Sequence, residues 1–388
     1  MEKTISECFS QIQNGANIKQ GIKNGGFPIT RIETISSDKF NRDKMGYAGI
    51  TDASQYENYI LEDNDLLMSH INSPQYLGRT VLYKKVDNET IIHGMNLLRL
   101  KANKEVNPSY ARYYFYGNKF RQQIVKITKK SVNQASFAVN DLKRIKMYLP
   151  EMESQNNIVR KLDIISKLID MHNEILNKYD LLIKARFIEM FGNMILNPHK
   201  WEKFLLAELC DVRDGTHDSP KYHSKGYPLI TSKNITGGKI KFSGCNLISK
   251  EDFDKINHRS KVDYGDILMP MIGTIGNPVI VDIKDEFAIK NVALVKLKKD
   301  SLVNNIFIKS LLESEYFYKT VIDKVRGGTQ KFISLGDIRK LEICLPPIEL
   351  QNQFADFVKQ VDKSRKAVKK SLEKMQQLYD SLMQEYFG

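Results

Sequence analysis

The residues best suited to catalysis in this 388-residue chain are Asp282-Ile283-Lys284, a carboxylate-x-lysine spacing of the kind used by magnesium nucleases. Such cleavage needs further carboxylates gathered around the metal. The tripeptide alone is abundant by chance, so a nuclease stands only as a runner-up reading. His217 and His223 flank Asp218, yet nothing places them at the i, i+4 spacing of zinc ligands on a helix, and a loop without metal is expected. Cys8, Cys210, Cys245 and Cys344 are dispersed without a Cys-x-x-Cys pair, which suits ordinary thiols in a reducing compartment. An adenine methyltransferase needs an Asn/Asp-Pro-Pro-aromatic tetrapeptide to hold a flipped base, and a nucleotide-driven motor needs a glycine-rich loop ending in Gly-Lys-Ser/Thr. The sequence contains neither.

Binding chemistry is better represented. Lys and Arg outnumber Asp and Glu by 59 to 46, a net charge of +13, which favours a polyanionic partner through phosphate neutralisation. A surface of solvated lysines is the bland alternative. Base edges are read by Arg, Lys, Asn, Gln, Ser and Thr on exposed turns, and phosphates by Lys, Arg and backbone amides. In the second half of the chain the turns that qualify are Thr231-Ser232-Lys233-Asn234, Thr274, and the Arg326 to Gln330 run with Thr329. In the first half they are Arg31 and Thr34, His70 and Asn72, Arg79, and Lys129-Lys130 through Gln134. Capping and turn chemistry explains the same residue types equally well. Gln134 and Gln330 recur across the two halves, which points to scaffolding or phosphate contact over base choice.

The elements that must position these turns are written twice. Leu149-Pro150-Glu151-Met152-Glu153-Ser154-Gln155-Asn156 recurs 196 residues later as Leu345-Pro346-Pro347-Ile348-Glu349-Leu350-Gln351-Asn352, and without a gap the same offset maps Phe191-Gly192 onto Phe387-Gly388. Upstream the match thins to islands such as Gly26-Phe27-Pro28-Ile29 with Gly226-Tyr227-Pro228-Leu229. A long divergent block is thus followed by a better-matched one, and the pair is repeated. Each matched block has helical periodicity: Ile158, Leu162, Ile165, Leu168, His172, Ile175, Tyr179 and Leu182, then Phe354, Phe357, Val361, Ser364, Val368, Met375, Leu378 and Leu382. Sustained over that length it predicts coiled-coil helices of about 50–55 Å, each opened by proline, the first closed by Gly192. The divergent blocks carry short β-rich runs such as Ala293 to Leu297 between glycine turns, then helical runs, and each reads as one α+β domain.

This order of blocks resembles the DNA-specificity subunits of type I restriction-modification systems, over essentially the whole chain. The carriers are the Leu345 to Asn352 run opening a helix, the Trp201-Glu202 start with Leu206 to Cys210, and the Gly215-Thr216 and Gly273-Thr274-Ile275-Gly276 turns. The first half departs from the pattern: it lacks the second proline and an opening tryptophan, and Asn72-Ser73-Pro74-Gln75 replaces the glycine turn. The resemblance implies two pseudo-repeated α+β target recognition domains, residues 1–150 and 193–347, separated by two long antiparallel coiled-coil helices, residues 151–192 and 348–388. It implies double-stranded DNA as ligand, each domain reading one half of an asymmetric bipartite target. It further implies methyltransferase subunits docked on the helices, restriction/translocase subunits beyond them, and no catalytic centre or cofactor in this chain. S-adenosylmethionine would belong to the methyltransferase partners. A helix-built protein scaffold without specific DNA binding is the competing reading. No stretch reaches the length of apolar residues a membrane span needs, and the N-terminus lacks signal-peptide character, so a cytoplasmic protein is expected.

Overall fold

A computed structural model describes residues 1–21, 25–130, 134–272, 275–298, 301–323 and 332–388. The chain forms two compact units, one of residues 1–173 with 370–388 and the other of residues 174–369. The sequence blocks therefore do not coincide with the compact units: each unit contains one α+β domain and a segment of both long helices.

The central sheet of the first unit has the strand order Phe9–Asn14, Leu97–Ala102, Leu66–Ser69, Thr80–Leu82, with every neighbour antiparallel. Its two middle strands are buried over Leu66–Ser69 and residues 97–100 because both faces are covered, and the one charge within that stretch, Arg99, is paired. Leu66, Met68, Leu98 and Leu100 pack towards the helix Pro108–Tyr116, whereas Leu67, Val81, Tyr83 and Leu97 form a separate cluster on the other side. The second unit repeats the arrangement with Cys210–Asp214, Val292–Leu297, Ile267–Pro270 and Val279–Ile280. There Ile267, Met269, Ala293 and Val295 face one cluster and Leu268, Val279, Val292 and Leu294 the other.

The turn entering the third strand is built alike in both units. The Asp65 carboxylate accepts from the backbone N–H of Glu62, and that of Asp266 from Asp263, each at 2.7 Å. Arg99 lies 2.7 Å from Asp65 with both side chains almost fully buried, and Lys296 pairs with Asp266.

The long helices run over Met152–Phe191 and Ile348–Phe387. Their shared Gln-Asn pair explains why that motif recurs. Gln155 is fully buried: its side-chain oxygen accepts from the Asn107 backbone at 2.8 Å, and its amide donates to the carbonyls of Glu105 and Pro150. Gln351, also fully buried, accepts from the Asn304 backbone at 2.9 Å and donates to Leu302 and Pro346. Asn156 and Asn352 accept from the side chains of Asn107 and Asn304. Each helix is thereby clasped to its own domain at the residue that caps the domain's principal helix.

The seam keeps most of the predicted positions and departs from them at two in each helix. Along the first helix one row of half-buried and buried positions, Ile158, Leu162, Ile165, Ile169, His172, Leu176, Tyr179, Ile183, Arg186 and Met190, alternates by four and three, with Val159, Leu168 and Phe187 among the further covered positions beside it. Ile175 and Leu182 face outward, 36% and 46% exposed. In the second helix the same phase runs through Phe354, Val358, Val361, Arg365, Val368, Leu372, Met375, Tyr379, Leu382 and Tyr386, leaving Ser364 and Leu378 exposed. In the second unit the helix segments are antiparallel, Arg365 meeting Asp180 at 2.5 Å while Phe354 meets Phe187, ring centroids 5.5 Å apart.

Both helices end in a buried phenylalanine. Phe191 packs among Phe187, Phe307 and Phe354 in the second unit, and Gly192 then turns the chain with φ +69°. Phe387 packs on Tyr110 and Tyr114 in the first unit, centroids 5.3 and 6.3 Å away.

Candidate nucleic-acid interface

In each unit extended backbone runs into a short 3-10 turn: the bridged Ile29 precedes Ile32–Ile35 in the first, and the strand Tyr227–Ile230 precedes Ser232–Asn234 in the second. The buried Thr34 hydroxyl accepts from the Arg31 N–H at 2.9 Å and donates to the Lys44 carbonyl at 3.1 Å. Asn234, also buried, accepts from the Thr231 N–H at 3.1 Å and hydroxyl at 2.9 Å, and its amide donates to the Lys241 carbonyl at 3.2 Å. Thr34 and Asn234 therefore staple the turn from inside, and little of either side chain reaches its surface. Arg31 and Lys233 project from it exposed, with Thr231 and Ser232 half-buried beside Lys233. Arg31 lies 3.4 Å from Glu33, and both side chains remain about half exposed.

The other expected residues separate into buried and available groups. His70 faces inward, 6% exposed, against the Phe137 ring, and burial pulls its pKa down to about 4, so it is neutral at pH 7. Asn72 is half-buried and accepts from the Ser73 N–H at 2.7 Å, turn chemistry of the usual kind. The Arg79 guanidinium lies 3.0 Å from Asp38 and stacks over Tyr76 at 4.6 Å, so its fork is already engaged. Lys129 and Lys130 are exposed on a strand paired with Ala135–Ser136, and Gln134 is exposed beside them. Thr274, Arg326, Thr329 and Gln330 lie outside the described residues.

Two groupings escape sequence reading. Gln20 and Asn96 share a small cavity with Ile18, Arg31, Ile32 and Glu33. Parallel bridges from Ala16 to Gly94 and from Ile29 to Ile92 bring these distant segments together. In the second unit His217 sits between Asp214 and Asn291, each 2.8 Å from a ring nitrogen, and these bonds raise its pKa. His223 instead pairs its backbone with Leu247. Among the described residues no group of three or more His, Cys, Asp or Glu is placed to hold a metal ion. Asp282 and Lys284 both stand exposed on a loop, and no described helix is long and apolar enough to cross a membrane.

Comparison with known proteins adds three findings. The family model described as the type I restriction modification DNA specificity domain matches twice, over residues 1–179 and 198–377. The provisionally named type I restriction enzyme MjaX specificity subunit of Methanocaldococcus jannaschii is 30% identical over 399 residues, covering 98% of this chain and 91% of that protein. The MjaVIII specificity subunit of the same organism is 25% identical over 346 residues, covering 84% of this chain and 78% of its own. The crystal structure of a type I restriction-modification system S subunit from M. genitalium shares the fold, with a TM-score of 0.58 at 12% identity over 100% of this chain and 96% of that one.

Proposed function

The chain belongs to the type I restriction-modification DNA specificity family, and from that premise we propose that it is the subunit that selects the DNA sequence on which its partners act. The observation that carries the reading is one frame built twice with different side chains on display. Thr34 and Asn234 hold equivalent turns, but the residues those turns present are Arg31 and Glu33 in one unit and Thr231, Ser232 and Lys233 in the other. A protein reading two unlike half-sites needs such a pairing of constant support and variable display.

In this reading each unit takes one half of an asymmetric, split double-stranded DNA target and the clasped helices set the unread spacer between them. The same helices dock methyltransferase subunits, and restriction/translocase subunits complete the assembly. The chain serves as a non-catalytic member of that complex. S-adenosylmethionine is the methyltransferase partners' cofactor, and methyl transfer is theirs to perform.

The test is single-molecule sequencing of genomic DNA from cells expressing the chain with its methyltransferase partner. Methyladenine in a split asymmetric motif, absent from cells with the methyltransferase alone, is the expected result. Its absence, with both proteins folded and associated, would favour a protein scaffold instead.

A further inference from the structure

We infer that the cavity beside Arg31 is where the first unit grips a base edge, with Gln20 and Asn96 as specificity-determining partners of that arginine. The inference rests on the DNA-specificity reading and gives it an address.

The cavity, of about 220 Å³, is formed by Ile18, Gln20, Arg31, Ile32, Glu33 and Asn96. Three separate segments of chain supply them, so the site is a product of the fold and not of one loop. Their chemistry covers the major-groove code: an arginine fork suits guanine, a carboxamide suits adenine, a carboxylate accepts from cytosine, and an apolar side chain meets the thymine methyl group. A phosphate site would be expected to gather lysines and backbone amides, and this one has no lysine among its lining residues.

The groups also have bonding capacity to offer. The side-chain oxygen of Gln20 is buried without a hydrogen-bond partner and its amide makes only a long 3.4 Å contact to the Thr30 carbonyl, so no strong bond holds this carboxamide against turning towards a ligand. Arg31 and Glu33 are 3.4 Å apart with side chains 49% and 56% exposed, a solvent-weakened pair that a better-matched base edge can separate. Beneath them the Thr34 staple and the backbone bond from Thr30 to Ile92 hold the turn in place before DNA arrives. Little ordering is then left for the moment of binding.

Selection of bound duplexes from a randomised pool tests the assignment, using the full chain in complex with its methyltransferase partner. Wild type should return a split motif. Gln20→Ala and Asn96→Ala should each relax one or two adjacent positions in one half of it, about tenfold or more in base preference, with the other half unchanged. Arg31→Lys keeps the charge but loses the fork, so it should relax the same half while preserving overall affinity and its salt dependence. Thermal unfolding of each variant alongside wild type separates these effects from misfolding. An even loss of affinity over all sequences would reassign the cluster to the phosphate backbone. An unchanged motif, or relaxation in the other half, would also overturn the inference. Failure of wild type itself to return a split motif would defeat the specificity reading and this inference together.

Discussion

Phe387 lies directly against Gly117: a β-carbon added at residue 117 would come within 2.4 Å of the β-carbon of Phe387 and 2.8 Å of its carbonyl oxygen. The first unit is thus completed by a side chain from the far end of the sequence. Phe387→Ala should cost about 3–5 kcal/mol through the cavity it leaves, and Gly117→Ala about 1–3 kcal/mol through overpacking. Hydrogen exchange gives the readout by region. Protection should fall in the strand Leu97–Ala102 while the strand Val292–Leu297 keeps its own. Equal loss in both strands would show that the two units do not unfold separately.

The glutamine clasps make a matched pair of predictions. Gln155→Ala leaves the Asn107 N–H and two carbonyls without their buried partner, and Gln351→Ala does the same at Asn304. Each should lower stability by about 1–3 kcal/mol, measured by urea unfolding, with the loss confined to its own unit. A change too small to measure in either variant would mean that water replaces the clasp.

Mild acid should act in opposite directions on local contacts in the two units. Burial lowers the pKa of His70 to about 4 and of His93 to about 3, from an ordinary 6.5. Below that ordinary value the unfolded chain binds protons that the folded first unit refuses, so stability falls as pH drops from 6.5 towards 4 and below. His217 has a raised pKa, so its bonds to Asn291 and Asp214 contribute fully in acid and weaken as pH rises through the folded value. Urea midpoints of the first unit at pH 7.5 and pH 5 are the check. His70→Phe should flatten its slope, and an unaltered slope would remove His70 as a cause.

Exchange of residues 193–347 for another recognition domain should change one half of the methylated motif and leave the other intact. Genomic methylation mapping reads both halves at once. Change in both would mean that neither domain reads independently.

Much of this architecture was legible because it is repeated: the 196-residue offset from Leu149 to Leu345 exposes the helices and their openings before any strand is assigned. A few seam positions were harder to place. Ile175 is followed by Leu176, and Leu181 and Leu182 precede Ile183, so apolar character alone cannot say which residue turns inward. Polar turn residues can either display or support, and only the fold shows that Thr34 and Asn234 lie buried beneath their turns. His70 was polar in sequence but neutral and buried in the fold. Gln20 and Asn96 carried no signal, since only the parallel bridges near Ala16 and Ile29 bring them beside Arg31.

The placement of Phe387 in the first unit also separates the order of synthesis from the order in which the units can be completed. Residues 174–369 form a contiguous unit that can close on emerging from the ribosome, whereas the unit begun at Met1 must wait for residues 370–388. A frameshift or stop codon near residue 370 would strike the domain that was translated first.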